Sequence, residues 1–432
     1  MPSAKIVIVG AGSLSFGVST IADILLEPGL RGGTLALVDI DVGALDLVAA
    51  LAKQANEQWG SGMKIERTTD RRRALPDADA VIVSVEVERE KRWCLDWEIP
   101  AKYGVIQPMG ENGGPGGFAH AMRNLPIVVG LCRDMERLCP DAWLLNFTNP
   151  VHRLTLAAVR YSAINAIGLC HGIYGTRGYL ARTLGVKDEA LDVKAAGINH
   201  FTWILDARLL PSGKDAYPAI RRAAPKGAVE HWSLSWKMLD AFGLFPSPGD
   251  DHIAEYLHWF HCDRYPSAAK YHLPTRRWEG LNRGRRRLQQ RAKQTLEGKL
   301  SNEWMRHRSG EHAADIILDR LADRNRLDLA VNIPNRGYVT NLPFDGVVEV
   351  PALISAFGVQ GLPMGRLPSA IAAICQLQMR IAELTVDAAV KRSRKLALQA
   401  LLLDPMINDL EVAERILADF QRAHKGLMPE LR

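Results

Sequence analysis

The stretch Lys5-Ile6-Val7-Ile8-Val9-Gly10-Ala11-Gly12-Ser13-Leu14-Ser15 decides the fold. Its apolar, β-branched start has the composition of a strand buried on both faces. The run breaks at Gly10 and Gly12, and a helix-like apolar stretch follows over 18–26. Glycine lets the backbone turn tightly and approach a ligand. The helix behind it offers N–H groups and the positive end of its dipole. Thr34-Leu35-Ala36-Leu37-Val38-Asp39 reads as a second strand that ends in an acid. A carboxylate there accepts ribose hydroxyls and repels a 2′-phosphate, which favours NAD over NADP. Gly10, Gly12, Ser13, Leu14, Ser15 and Asp39 are the candidate dinucleotide-binding residues. The G-x-G-x-x-G spacing is incomplete, because Ser15 holds the third glycine position.

The alternation continues outward. Helical spacing covers 42–58 and 126–138, and strand-like runs cover 80–85, 142–147 and 164–169. Buried strands alternating with helices predict an α/β fold with a Rossmann-like, doubly wound parallel sheet. Past residue 200 tryptophan and proline become denser, and helical spacing returns only over 370–403. The expected division is a dinucleotide-binding domain over 1–200. A second α+β domain over 201–432 completes the active site and carries the oligomer contacts.

The 432 residues are 47% hydrophobic and 24% charged, which excludes a disordered or fibrous chain. No uncharged apolar run reaches the length of a membrane span, and the start Met1-Pro2-Ser3-Ala4-Lys5 shows no signal-peptide pattern. Six irregularly spaced cysteines read as reduced thiols in a cytoplasmic protein. The net charge is +6, but 276–308 alone holds 11 Lys and Arg against 3 Asp and Glu. The rest of the chain is therefore slightly acidic. That segment is either a solvated helix face or an anion-attracting wall near a pocket. It lacks a nucleic-acid module and interleaved stacking aromatics, so no nucleic-acid partner is expected.

In doubly wound sheets ligands sit beyond the carboxyl ends of the strands. Three runs end there in unusual residues: Thr148-Asn149-Pro150, Cys170-His171-Gly172 and Asn199-His200-Phe201. Singly, a cysteine is usually a small buried hydrophobe, a histidine a satisfied core group, and Asn-Pro a turn. Jointly they make Cys170 and His200 candidate ligands of one divalent ion with open positions for substrate. Mixed sulfur and nitrogen ligation suits a transition metal.

These segments resemble the NAD- and manganese-dependent glycosidases of glycoside hydrolase family 4. The resemblance extends through Glu111-Asn112-Gly113-Gly114-Pro115-Gly116-Gly117, Gly249-Asp250-Asp251-His252-Ile253-Ala254-Glu255-Tyr256, Val331-Asn332-Ile333-Pro334-Asn335 and Val348-Glu349-Val350-Pro351-Ala352. It covers roughly residues 5 to 405. It implies NAD+ and Mn2+ as cofactors and a redox route: hydride loss from C3 of the sugar, proton loss from C2, elimination of the aglycone, then reversal. It assigns Cys170 and His200 to the metal, and His171 to the leaving group as acid. Asp250 becomes the C2 base, with Asp251 one register away. Asn149 contacts sugar hydroxyls, and Glu111 lies in the loop that caps the sugar. A helix-capping role for Asp250 remains the plain alternative.

Family members for 6-phosphorylated sugars carry a proline shortly after the metal cysteine, and Cys170-His171-Gly172-Ile173 has none. The resemblance, to the hexuronide branch or the sister sulfoquinovosidases, therefore implies an anionic C6 group held by arginine from the basic segment. Neutral glucosides or galactosides are the alternative. A 2-hydroxy-acid dehydrogenase or an NAD-dependent sensor on the same fold would not need the Cys170/His200 pair. A small-molecule glycoside is the expected partner, in a homo-oligomer (dimer or tetramer) with no membrane contact.

Overall fold

A computed structural model describes residues 4–227, 229–260, 271, 273 and 280–432. The strands are β1 (Lys5–Val9), β2 (Thr34–Val38), β3 (Lys64–Thr68), β4 (Ala80–Val83), β5 (Trp143–Asn146), β6 (Asn165–Leu169), β7 (Leu191–Ile198), β8 (Phe201–Leu209), β9 (Lys214–Asp215), β10 (Phe245–Ser247), β11 (Arg326–Pro334), β12 (Val347–Ser355) and β13 (Gly358–Gly361). All belong to one sheet, in the order β10-β8-β7-β12-β11-β6-β5-β4-β1-β2-β3, with β9 on β8 and β13 on β12.

The six strands β3-β2-β1-β4-β5-β6 are parallel. Their order, 3-2-1-4-5-6, is that of the dinucleotide-binding fold, and its switch point lies between β1 and β4. Alternate side chains of β1 enter opposite layers: Ile6 and Ile8 join one apolar cluster, Val7 and Val9 the other. Burial on both faces is why this strand reads as a continuous apolar run rather than an alternating one.

From β6 outward the pairing turns antiparallel, through β11, β12, β7 and β8. Residue 200 thus falls in the tight connection between β7 and β8, inside a continuous sheet. β11 and β12, from late in the chain, insert between β6 and β7. This insertion brings Leu169 and Gly197 to opposite sides of the same two strands.

The helix expected over 126–138 begins much earlier, at Gly114. Its first turn is glycine-rich, which masked it, and the glycines are there for close packing. A Cβ on Gly116 would lie 2.5 Å from Gly110 O, and one on Gly117 would lie 2.5 Å from Asn112 O. The helix Ser369–Lys391 and its successor Arg394–Leu403 match the late helical spacing.

His152, in the helix Val151–Tyr161, is buried with no hydrogen-bond partner on either ring nitrogen. Burial, aided by the Arg153 charge, lowers its pKa from 6.5 to about 3. The unfolded chain therefore binds this proton first on acidification, and stability falls as pH drops below about 6.5. Unfolding free energy measured by urea titration across pH 4–6 should slope with pH. His152→Leu should flatten that slope by about 1.4 kcal/mol per pH unit, one proton's worth; an unchanged slope would remove His152 from the account.

Candidate active site

At the end of β1 the chain turns through Gly10, whose φ is +92°. A Cβ there would sit 1.9 Å from Ser84 O, so the position admits only glycine. The Gly10 and Ala11 N–H groups both donate to Val38 O, at 2.9 and 3.0 Å. Gly12 N–H donates to Asp39 Oδ2 at 2.8 Å, and Asp41 N–H donates to Oδ1 at 2.9 Å. The acid that ends β2 is thereby oriented beside the loop, with lone pairs to spare for ribose hydroxyls. Ser13 Oγ accepts from Phe16 N–H at 3.3 Å and lies 3.3 Å from Ser15 Oγ, while Leu14 is buried. The third close approach falls not at Ser15 but at Gly17, where a Cβ would lie 2.5 Å from Ala11 O. The motif is longer by two residues than the pattern sought in the sequence.

Cys170 follows β6, and His200 sits in the turn between β7 and β8 with φ +63°. Cys170 Sγ and His200 Nε2 approach to 3.3 Å, and His200 Nδ1 has no hydrogen-bond partner. Burial pushes the Cys170 thiol well above its usual range, helped by the Glu349 charge. Burial also holds His200 well below its ordinary value, with His252 and His171 adding to the shift. A neutral imidazole beside a thiol is a ready nitrogen and sulfur donor pair, and metal binding there releases the thiol proton. Among the described residues, no group of three or more His, Cys, Asp and Glu side chains is placed to hold a metal. Two donors alone would leave the remaining positions of an ion to other ligands.

His171 is largely exposed, and its Nδ1 lies 2.8 Å from Glu311 Oε1. That hydrogen bond raises its pKa against the opposing desolvation by neighbouring groups. The His252 ring centroid lies 4.2 Å from that of His200. Gly172 packs against Pro248, whose Cβ would be 2.7 Å from an added side chain. The segment 248–256 therefore forms a wall along the Cys170/His200 pair.

The loop before the long helix Gly114–Leu138 faces this wall. Arg89 donates to Glu111 Oε1 at 2.9 Å, and Asn149 Nδ2 donates to the same oxygen at 3.4 Å. Thr148, next to Asn149, accepts from Val85 N–H at 3.0 Å. This bond ties the β5 end to the residue that follows Ser84, the neighbour of Gly10. Glu111 and Asn149 are thus brought together, close to the dinucleotide loop.

Asp250, the expected C2 base, makes the contacts of a helix cap. Its Oδ2 accepts from Leu234 N–H at 2.8 Å, and its Oδ1 accepts from Ser235 N–H at 2.8 Å and Ser235 Oγ at 2.7 Å. The carboxylate caps the N-terminus of the helix Ser233–Phe242. Three of its acceptor positions are engaged, and a base there would have to give up the cap. Capping was the plain alternative in the sequence, but the helix it serves is a preceding one.

The basic segment also turns elsewhere. Arg276 and Arg277 lie outside the described residues. Arg308 pairs with Glu27 at 2.7 Å, Arg285 lies 3.9 Å from Asp41, and Arg291 stacks over the Trp304 ring at 4.9 Å. Among the described residues, none of its arginines bonds to Cys170, His171, His200, Glu111 or Asn149. Its helix Leu281–Leu296 lies against the helix Val42–Trp59. The described part is a largely solvated face on the dinucleotide side, the plainer of the two expectations.

Several residues carry this geometry without having been singled out. Glu349 Oε1 accepts from Thr202 Oγ1 at 2.7 Å. Its Oε2 accepts from Asn199 Nδ2 at 2.7 Å and Asn332 Nδ2 at 2.9 Å. A charged residue inside the apolar run of β12 was the available signal. Glu311 gave none, and His252, inside the Gly249–Tyr256 motif, carried no role of its own, because only the fold makes them neighbours of His171 and His200.

Residues 5–186 match the family 4 glycosyl hydrolase profile, and residues 195–407 match the family 4 glycosyl hydrolase C-terminal domain. The chain belongs to family 4. It is 34% identical to the α-glucosidase of Erwinia rhapontici, over 94% of each chain. It is 28% identical to an α-galacturonidase of Bacillus subtilis, over 96% of each. A 6-phospho-α-glucosidase from gut microorganisms, solved in complex with NAD and Mn2+, has the same fold. Its TM-score is 0.88 at 21% identity, and both chains are fully covered. The family 4 chain is thus a glycosidase with a Rossmann-like sheet, and no helix among its described residues is long and apolar enough to cross a membrane.

If Asp250 is a cap, Asp250→Ala should lower the unfolding free energy by about 1–2 kcal/mol, the cost of losing such a cap, read as a fall in the urea midpoint. An unchanged midpoint with activity abolished would assign Asp250 to the chemistry rather than to the cap.

Proposed function

We propose that this family 4 enzyme is an NAD+- and Mn2+-dependent hydrolase of non-phosphorylated α-hexosides that works through transient oxidation at sugar C3. The observation that carries the reading is the 3.3 Å approach of Cys170 Sγ and His200 Nε2, at the same end of the sheet as Gly10, Gly12 and Asp39. When bound, NAD+ supplies a hydride acceptor and the divalent ion supplies Lewis-acid polarisation of sugar oxygens. Cys170 and His200 would hold the ion.

The chain's own residues do the rest. Asp39 accepts the ribose hydroxyls, and the absence of a Cβ at Gly10 lets the backbone come close to the pyrophosphate. Glu111, fixed by Arg89, and Asn149 bond to the sugar hydroxyls and orient the ring. His171, oriented by Glu311, donates a proton to the departing aglycone oxygen. The C2 proton goes to a carboxylate of the 248–256 wall, Asp250 once it gives up its cap, or the adjacent Asp251.

The α-glucosidase relative favours a neutral glycone. An anionic C6 group has the α-galacturonidase relative in its favour, but the described arginines of 283–308 lie on a largely solvated face on the dinucleotide side and give it no support. The test is hydrolysis of aryl α-glucoside, α-galactoside, α-galacturonide and α-sulfoquinovoside sharing one aglycone. Turnover should require both NAD+ and Mn2+, stop after chelator dialysis, and be highest on a neutral hexoside. Full turnover by protein stripped of metal and NAD+ would overturn the mechanism. A clear preference for either anionic glycoside would overturn the glycone assignment alone.

Asp39 should also exclude NADP+. Wild-type enzyme should show turnover with NAD+ and little with NADP+, and Asp39→Ala should narrow that gap. Equal activation of the wild type by both cofactors would count against the ribose contact.

A further inference from the structure

We propose that Glu255 is a positioning residue: it straps the loop carrying Glu111 to the histidine wall and so fixes the substrate-facing carboxylate. This rests on the glycosidase reading only for what Glu111 holds.

The Glu255 side chain is fully buried. Its Oε2 accepts from three successive backbone N–H groups, those of Glu111, Asn112 and Gly113, at 2.7, 2.6 and 3.1 Å. Its Oε1 accepts from Asn112 Nδ2 at 3.1 Å. These donors lie at the start of the helix Gly114–Leu138, where backbone N–H groups and the helix dipole favour an anion. Here the anion is the protein's own carboxylate, brought from 143 residues away along the chain.

The backbone is shaped for the same contact. A Cβ on Gly113 would lie 2.3 Å from Glu255 O. Only glycine at 113 allows the two segments to close. On its other side Glu255 Oε1 lies 3.5 Å from His252 Nδ1, and the His252 ring packs on His200. One carboxylate therefore joins the cap loop to the wall of the Cys170/His200 pair. Buried Arg153 is close enough for its charge to interact with that of Glu255.

Without the carboxylate, three N–H groups at the head of the helix lose their acceptor. Unpaired buried donors are costly, so the loop would move to find water. Glu111 would then lose its fixed approach to Arg89 and Asn149. Glutamine keeps an oxygen for the three N–H groups. Once the Asn112 amide turns over, the glutamine amide can donate to Asn112 Oδ1, which has no partner at present, so Glu255→Gln should retain most of the strap.

The experiment uses full-length enzyme loaded with NAD+ and Mn2+. It compares wild type, Glu255→Ala, Glu255→Gln and Gly113→Ala. The readouts are KM and kcat on the best aryl hexoside, the NAD+ Kd by fluorescence, and amide hydrogen exchange over 108–117. Glu255→Ala should raise KM at least about tenfold, the scale of one or two lost buried contacts. It should change kcat less, leave the NAD+ Kd unaltered, and speed exchange at 111–113. Glu255→Gln should recover most of the KM, and Gly113→Ala should behave like Glu255→Ala. Normal KM and normal exchange in both Glu255→Ala and Gly113→Ala would overturn the proposal. So would a loss of NAD+ affinity that matches the rise in KM, which marks general damage. If Glu255→Ala does not fold, Gly113→Ala carries the test. If wild type cleaves none of the hexosides, the function reading fails, while the exchange data still decide the strap.

Discussion

A single buried carboxylate, Glu349, holds together the end of the sheet on which the site is built. Its three hydrogen bonds, from Asn199, Thr202 and Asn332, join the β7–β8 turn to the two strands inserted beside it. A buried charge is tolerated only where such donors satisfy it. Burial nonetheless raises its pKa, so the network works against a real desolvation cost. That network sets the turn in which His200 adopts a left-handed backbone conformation, and hence where its imidazole meets Cys170.

The wider geometry follows from topology. A parallel half of six strands brings Gly10, Asp39, Asn149 and Cys170 to one end, because every parallel strand finishes there. The antiparallel half contributes His200 from a hairpin turn. β11 and β12 pass between the halves, so late residues such as Asn332 and Glu349 support a site made from early ones. Loops then close over it: the glycine-rich segment from one side and 248–256 from the other, joined through Glu255.

Much of this was readable from residues alone. The apolar runs of β1 and β2 and the two glycines between them announced the dinucleotide fold, because burial on both faces leaves a local signature. Cys170, His200 and Asn149 stood out as polar groups at strand ends. The partners that orient them did not stand out. Glu311 reaches His171 from 140 residues away, and His252 reaches His200 across separate elements. Such pairings have no sequence period. Asp250 shows the limit of such reading: an acid at the head of a short helix looks the same in sequence whether it caps or catalyses, and its contacts with Leu234 and Ser235 become visible only in the fold. The basic segment left two readings open for a related reason: its charge was visible, but the direction it faces depends on how it packs against the helices of the dinucleotide half.

The proposed metal site is the pair Cys170 and His200. Its most direct measurement is Mn2+ binding followed by electron paramagnetic resonance, in the presence of NAD+, on wild type, Cys170→Ala and His200→Ala. The account predicts one tightly held ion per wild-type chain and loss of that binding in both variants, with NAD+ affinity retained. Undiminished Mn2+ binding in either variant would contradict it.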